Sequence, residues 1–167
     1  WGLSTSLKSA PAILAYPPEL IPSDPTLEHY ALLFRTGIHR FVLNSVIVST
    51  ISVVLALTMG SLAAYALARL DFRGRSTLMF ATVALMSIPL PSVLVPTFML
   101  LANVNLTNSL IGLGLLYTAY QLPIVVWMLY GYFRSLPIEL ERAAMIDGCS
   151  RLRTLRKIVL PLSGPGL

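Results

Sequence analysis

STLMFATVALMSIPLPSVLVPTFMLLANVNLTNSLIGLGLLYTAYQLPIVVWMLYGYF, residues 76–133, runs for 58 positions without an Asp, Glu, Lys or Arg. As a single helix it would reach about 87 Å at 1.5 Å per residue, against a bilayer hydrocarbon core of about 30 Å. The run must fold back and cross twice. Its one polar cluster, Asn103-Val-Asn105-Leu-Thr107-Asn108-Ser109, is the natural place for the reversal. The sequence therefore predicts a span over 77–102, a turn over 103–109 and a span over 110–133. Pro89, Pro91 and Pro96 interrupt the hydrogen-bond ladder of the first of these, which predicts a broken or kinked helix whose freed carbonyls face other helices or a water-filled cavity. In the second, Tyr117, Tyr120 and Gln121 precede Pro123 and form the most polar patch inside any span. That patch suits a solute pathway or helix–helix hydrogen bonding, and the sequence leaves both open.

Working outward, the run is preceded by Arg69-Leu-Asp-Phe-Arg-Gly-Arg75, a short arginine-rich connection over 69–76. Before it, Phe41 to Ala68 is another charge-free stretch, long enough at 28 residues to be a third span. Ser52, Ala56, Gly60, Ala64 and Ala68 recur every four residues along it, a ridge of small side chains over which a second helix can approach closely. Asn44, Ser45, Ser49 and Thr50 in the same span read as backbone- or neighbour-bonded groups rather than as a pathway. Basic residues set the orientation. Nine lie at 69–75 and after Phe133 (Arg69, Arg73, Arg75, Arg134, Arg142, Arg151, Arg153, Arg156 and Lys157), against three on the other side (Lys8, Arg35 and Arg40). Positive residues stay in the cytoplasm, so 1–40 and 103–109 are predicted external and 69–76 and 134–161 cytoplasmic.

The composition agrees: 56% hydrophobic, 11% charged and a mean hydropathy of +0.77, where a soluble domain carries about 25% charged residues. The net charge of +5 does not point to nucleic acid, because the basic residues flank apolar runs instead of forming a face on a soluble fold. One cysteine excludes an internal disulfide.

Residues 1–40 hold five of the twelve prolines and read as an ordered, Pro-rich loop. Within it, Asp24 and Pro25 suit the cap and first position of a helix, and Leu27, Tyr30, Ala31 and Phe34 follow at helical spacing, predicting an interfacial helix. His29 and His39 have no metal-ligand neighbours at suitable spacing and read as surface histidines.

At the other end stands SLPIELERAAMIDGCSRLRTLRKIVLP, residues 135–161. Pro137 suits a first helical turn, and Glu139 and Glu141 place negative charge at the positive end of the helix dipole. Helix formers continue to Met145, until Asp147-Gly148 supplies a turn. Ser150 is a plausible cap for a second helix with Leu152, Leu155 and Val159 on one stripe, which Pro161 should stop. The whole reads as a helix–turn–helix built to present one surface; an amphipathic hairpin on lipid headgroups is the plainer reading.

This stretch resembles the Glu-Ala-Ala coupling loop of binding-protein-dependent ABC importer permeases: Ala143-Ala144, Gly148, Ile158 and Leu160-Pro161 fall at the family's spacing. The Glu before the alanines is replaced by Arg142, with Glu141 one place earlier, and Cys149 stands at a usually small position as filler. STSLKSAPAILAYPPELIPSDPTLEHYALLF and ALARLDFRGRS likewise resemble the external segment and first cytoplasmic loop of the carbohydrate, maltose-type branch. The resemblance implies an all-α polytopic bundle of the type I importer kind, three spans of it present, in a chain that reads as a piece lacking the first span and the two after the coupling loop. It implies an ATPase-docking role for Glu141, Ala143, Ala144, Asp147, Gly148, Ile158, Leu160 and Pro161; helix packing through Ala56, Gly60 and Ala64 is read from their spacing alone. The implied partners are ABC ATPase subunits that bind ATP and magnesium, a second related permease, an external solute-binding protein and membrane lipid.

No G-x-x-x-x-G-K-[ST] loop occurs, so no phosphate loop of this chain holds ATP; Gly112-Leu-Gly114 lies inside a span and is no dinucleotide fingerprint. No catalytic or metal-ligating set is visible, which argues against a membrane enzyme. An ion-coupled secondary transporter is the alternative, but it would be expected to carry ionisable residues inside its spans.

Overall fold

The computed structural model describes residues 1–164; the chain end at Pro165, Gly166 and Leu167 lies outside them. Among the described residues every regular element is helical. Two compact units divide within one long helix, Trp1–Val46 and the chain from Ile47 onward.

In the first unit, α1 (Gly2–Ser6) and α2 (Ala10–Ile13) precede an irregular Pro-rich stretch and α3 (Glu28–Arg35). The predicted helix is there, but it starts three residues beyond Pro25, with Leu27 at the cap instead of Asp24. The Thr26 amide, one of the two an Asp24 cap could accept, goes to the Leu7 carbonyl at 2.7 Å, and the Thr26 hydroxyl accepts the Glu28 amide at 3.2 Å, at the start of the observed helix. Lys8 is buried rather than exposed: its ammonium donates to the Glu19 carbonyl and lies 5.4 Å from the Trp1 ring centre. His29 is half-buried, its Nε2 2.9 Å from the Lys8 carbonyl, and only His39 stays at the surface.

The helix spanning the division, α4 (Ile38–Arg69), is long and apolar enough to cross a membrane, as is α7 (Leu110–Ser135). The predicted span over 77–102 is divided into α5 (Arg75–Leu85) and α6 (Leu90–Asn103). The break at 86–89 comes where Pro89 takes an extended backbone and Pro91 lacks an amide; Pro96 is accommodated inside α6. The reversal is at 104–109, where Asn105 and Asn108 take positive φ and the Ser109 hydroxyl accepts the Gly112 amide at 3.3 Å.

In the second unit the small-residue ridge is the buried face of α4: Ser52, Ala56, Gly60, Ala64 and Ala68 are all inaccessible. A Cβ on Gly60 would stand 2.6 Å from Val125 of α7, and one on Gly114 of α7 would stand 2.7 Å from Ile51. The Ser52 hydroxyl donates to the Val48 carbonyl within its own helix at 2.9 Å, with the Gly114 carbonyl of α7 at 3.1 Å. Close backbone approach of this kind supplies attraction between helices where lipid removes the hydrophobic difference between inside and outside.

Candidate functional site

Beyond α7 the chain forms α8 (Ile138–Ile146), a turn over 147–150, and a second helical segment made of α9 (Arg151–Thr154), a wide π turn (Leu155–Val159) and α10 (Leu160–Leu162). Pro137 occupies the cap of α8, one place ahead of the first helical turn the sequence suggested, and Glu139 and Glu141 lie in that turn. The C-terminal end is a complete Schellman motif. Cys149 N–H donates to the Ala144 carbonyl at 2.9 Å and Gly148 N–H to the Met145 carbonyl at 3.1 Å, with Gly148 at φ +84°. The Ser150 hydroxyl then caps the second segment by accepting the Arg153 amide at 3.4 Å. Pro161 does not stop that segment, which continues to Leu162. The π turn sits directly ahead of Pro161, where the missing amide has already interrupted the α-helical ladder.

One side of this element is built into the bundle. Leu155 and Val159 are 2% and 1% exposed and share a cluster with Tyr65 and Leu67 of α4 and Leu129 and Phe133 of α7; the Tyr65 and Phe133 rings meet edge to face at 6.4 Å. Leu152 does not join that stripe and is 63% exposed. Glu141 is 3% exposed and lies inside. Its Oε1 accepts Arg69 Nε at 2.6 Å and its Oε2 accepts the Tyr65 hydroxyl at 2.9 Å, while Arg69 Nη2 donates to the Leu136 carbonyl at 3.0 Å. The last residue of α4 thereby ties together the end of α7 and the first turn of α8. The sequence reading placed Glu141 on the docking surface and missed this constellation; its only local signal is Tyr65 and Arg69 standing four apart, on one face, where the charge-free stretch 41–68 ends.

The other side is open. Ala143, Asp147, Gly148 and Pro161 are exposed, Ile158 and Leu160 are half-buried, and Ala144 is buried against the bundle. Around the turn Ile146 is 86% exposed, with Leu152, Arg142, Arg151 and Arg153 beside it at the surface. The turn thus exposes apolar and guanidinium side chains together, on an element held to the bundle from its other side through Glu141.

Tyr117, Tyr120 and Gln121 line a groove of about 480 Å³ between α6 and α7, together with Thr97 and Phe98. The Thr97 and Tyr120 hydroxyls are 3.1 Å apart. The Gln121 side chain is exposed and makes no hydrogen bond to another described residue. Among the described residues no group of three or more His, Cys, Asp or Glu side chains is placed to hold a metal ion.

A protein-family model described as "Binding-protein-dependent transport system inner membrane component" matches residues 34–167. The sulfoquinovosyl glycerol transport system permease protein SmoH of Agrobacterium fabrum is 41% identical over 168 residues, covering 100% of this chain and 59% of that protein. The trehalose transport system permease protein SugB of Mycobacterium tuberculosis is 36% identical over 168 residues, covering 100% and 61%. This chain thus spans about three fifths of the length of those relatives. In fold it is similar to a chain of a bacterial ABC transporter involved in the import of the acidic polysaccharide alginate, with a TM-score of 0.83 at 24% identity, over 98% of this chain and 57% of that one.

Proposed function

From the premise that this chain belongs to the family of binding-protein-dependent transport system inner membrane components, we propose that it is part of the permease subunit of an ABC importer for a sugar or a related polyol or glycerol-phosphate solute. The relatives' named solutes, a sulfoquinovosyl glycerol and trehalose among them, support that class. Two ATPase subunits binding ATP and magnesium, a second related permease and an external solute-binding protein complete the assembly. The spans would alternate between inward- and outward-facing arrangements as rigid bodies.

One observation carries the reading: the helix–turn–helix is locked to α4 and α7 through Arg69 and Glu141 while its tip around Gly148 stays exposed. An ATPase that moves the tip would move the spans with it. The nine-to-three bias of basic residues supports a cytoplasmic location for this element, where an ATPase works. The groove edge at Tyr117, Tyr120 and Gln121 supplies hydroxyl, amide and aromatic groups without charge, suited to a neutral polyhydroxylated solute. An unsatisfied amide facing hydrocarbon is costly, so Gln121 fits a wet pathway or a partner helix rather than lipid.

The test is uptake by the full-length protein reconstituted in proteoliposomes with its partner permease, ATPases and binding protein. Uptake of labelled oligosaccharide should require internal Mg-ATP and survive ionophores that collapse ion gradients. Uptake without ATP that an imposed ion gradient drives would overturn the proposal in favour of ion-coupled transport.

A further inference from the structure

The charge-free run of residues 76–133 begins directly after Arg75 and ends directly before Arg134. The fold brings these two boundary residues together, because α5 leaves the connection after α4 while α7 returns to the same end of the bundle. Both arginines line one groove of about 540 Å³ between α5 and α7. At its polar end the Arg134 guanidinium lies 5.8 Å from the Tyr130 ring centre and donates to the Tyr130 hydroxyl at 3.2 Å. Arg75 donates to Asp71 at 3.1 Å and to the Ala68 carbonyl at 3.4 Å. Asp71, whose side chain is 99% exposed, pairs with Arg75 from outside the groove; among the described residues that line the groove there are two cations and no acid, and Arg134 has no acidic partner. From that end Met79, Phe80 and Val83 carry an apolar wall along α5, and Phe80 is 75% exposed.

We infer that this groove binds an anionic glycerophospholipid, its phosphodiester between Arg75 and Arg134 and one acyl chain along Phe80 and Val83. The two ends of the groove match the two ends of such a molecule. Arginines at a span boundary stand at headgroup depth, and basic pockets between transmembrane helices on the cytoplasmic side select anionic headgroups. Arginine further suits phosphate because its planar fork can engage two oxygens at once. A zwitterionic lipid would have the same chains but no net charge, and a free phosphate would have the charge without using the apolar wall. This rests on the membrane setting and orientation of the proposed function, and not on the solute or the ATPase.

The experiment is native mass spectrometry of the full-length permease, assembled with its partner subunits and extracted from phosphatidylcholine vesicles containing a minority of phosphatidylglycerol. The wild-type complex should retain phosphatidylglycerol in preference to phosphatidylcholine. R75Q/R134Q should lower that retention about fivefold per arginine, the equivalent of ~1 kcal/mol per basic residue at a membrane surface. Val83→Trp, which fills the apolar wall and keeps both charges, should lower it as well. Because Arg75 also bonds Asp71 and Ala68, R134Q alone carries the test if the double variant fails to assemble; among the described residues the Arg134 guanidinium bonds only Tyr130, on its own helix. Equal retention of the two lipids by wild type, or full retention by R134Q, would overturn the proposal. Retention lost with the arginines but untouched by Val83→Trp, and displaced by inorganic phosphate, would make this a free-anion site instead.

Discussion

Removing the Glu141 carboxylate is the sharpest perturbation the structure offers. The pair is well enclosed, with the Arg69 side chain 10% and the Glu141 side chain 4% exposed. Truncating one member of a buried ion pair strands the other charge and costs about 3–5 kcal/mol. Arg69 keeps its bond to the Leu136 carbonyl, so Glu141→Ala should fall near the lower end, at about 3 kcal/mol. Tyr65→Phe deletes an O–H donated to the same carboxylate, and a hydrogen bond to a charged group contributes about 1.5–3 kcal/mol. The two changes act on one network. With Glu141 already absent, Tyr65→Phe should therefore cost almost nothing, giving a coupling energy of about 1.5–3 kcal/mol. Denaturant titration of the full-length protein in detergent, followed by far-ultraviolet circular dichroism, measures the cycle. Limited trypsinolysis adds a local readout: with α8 released from α4, cleavage at Arg151 and Arg153 should accelerate before global unfolding. Single and double variants that add within about 0.5 kcal/mol, with unchanged cleavage at those arginines, would refute the clamp.

At the helix interface, Gly60→Leu should reduce assembled protein, since even a Cβ there stands 2.6 Å from Val125, whereas Gly131→Ala, with nothing within 4 Å, should be neutral or gain up to about 1 kcal/mol of helix propensity; thermal stability in detergent compares them. Gly148→Val meets no neighbour, so its cost is backbone strain alone, about 1–2 kcal/mol at φ +84°. The variant should insert and assemble normally yet lose binding-protein-stimulated ATP hydrolysis in the reconstituted complex, with Asp147→Ala milder. A cysteine at Ser150, in a Cys149→Ser background, should resist a membrane-impermeant thiol reagent applied to intact cells and react once the membrane is opened; labelling from outside would reverse the assigned orientation.

The two long apolar helices α4 and α7 and the reversal over 104–109 were legible because a charge in hydrocarbon is expensive wherever the rest of the chain lies, and that constraint is written position by position; the division of 77–102 into two shorter helices was legible only as a Pro-induced break. The Gly148 turn and the Ser150 cap were legible for a similar reason: caps are satisfied within a few residues. Asp24 failed as a cap because a contact nineteen residues away decided the matter, with Leu7 holding the Thr26 amide. Glu141 was read as a surface carboxylate because its partners lie more than seventy positions earlier, and no local pattern distinguishes an acid in a first helical turn from an acid that is buried there. Leu152 was assigned to the inner stripe by assuming 3.6 residues per turn throughout. The π turn over 155–159 holds more residues per turn, which rotates Val159 away from the azimuth of Leu152 and leaves the latter in the open.

Position along the clamp also bears on how movement would pass through the protein. Arg69 is the last residue of α4 and bonds both the Leu136 carbonyl that closes α7 and the carboxylate in the first turn of α8. Under the proposed function, a displacement of the tip at Gly148 would reach α4 and α7 at a single point. Those two spans are themselves joined along the Ser52-to-Ala68 ridge, where Gly60 and Gly114 leave no room for a side chain. Close packing of that kind resists small continuous deformations and favours movement as a body. The divided span between them in sequence is different: α5 and α6 meet at a Pro-interrupted joint over 86–89 where the helical ladder is open. If α4, α7 and α8 move together, the joint is where the bundle can change shape at least cost. The groove bearing Tyr117, Tyr120 and Gln121 has α6 for one wall and α7 for the other, so flexing at 86–89 changes its width while the clamp stays closed.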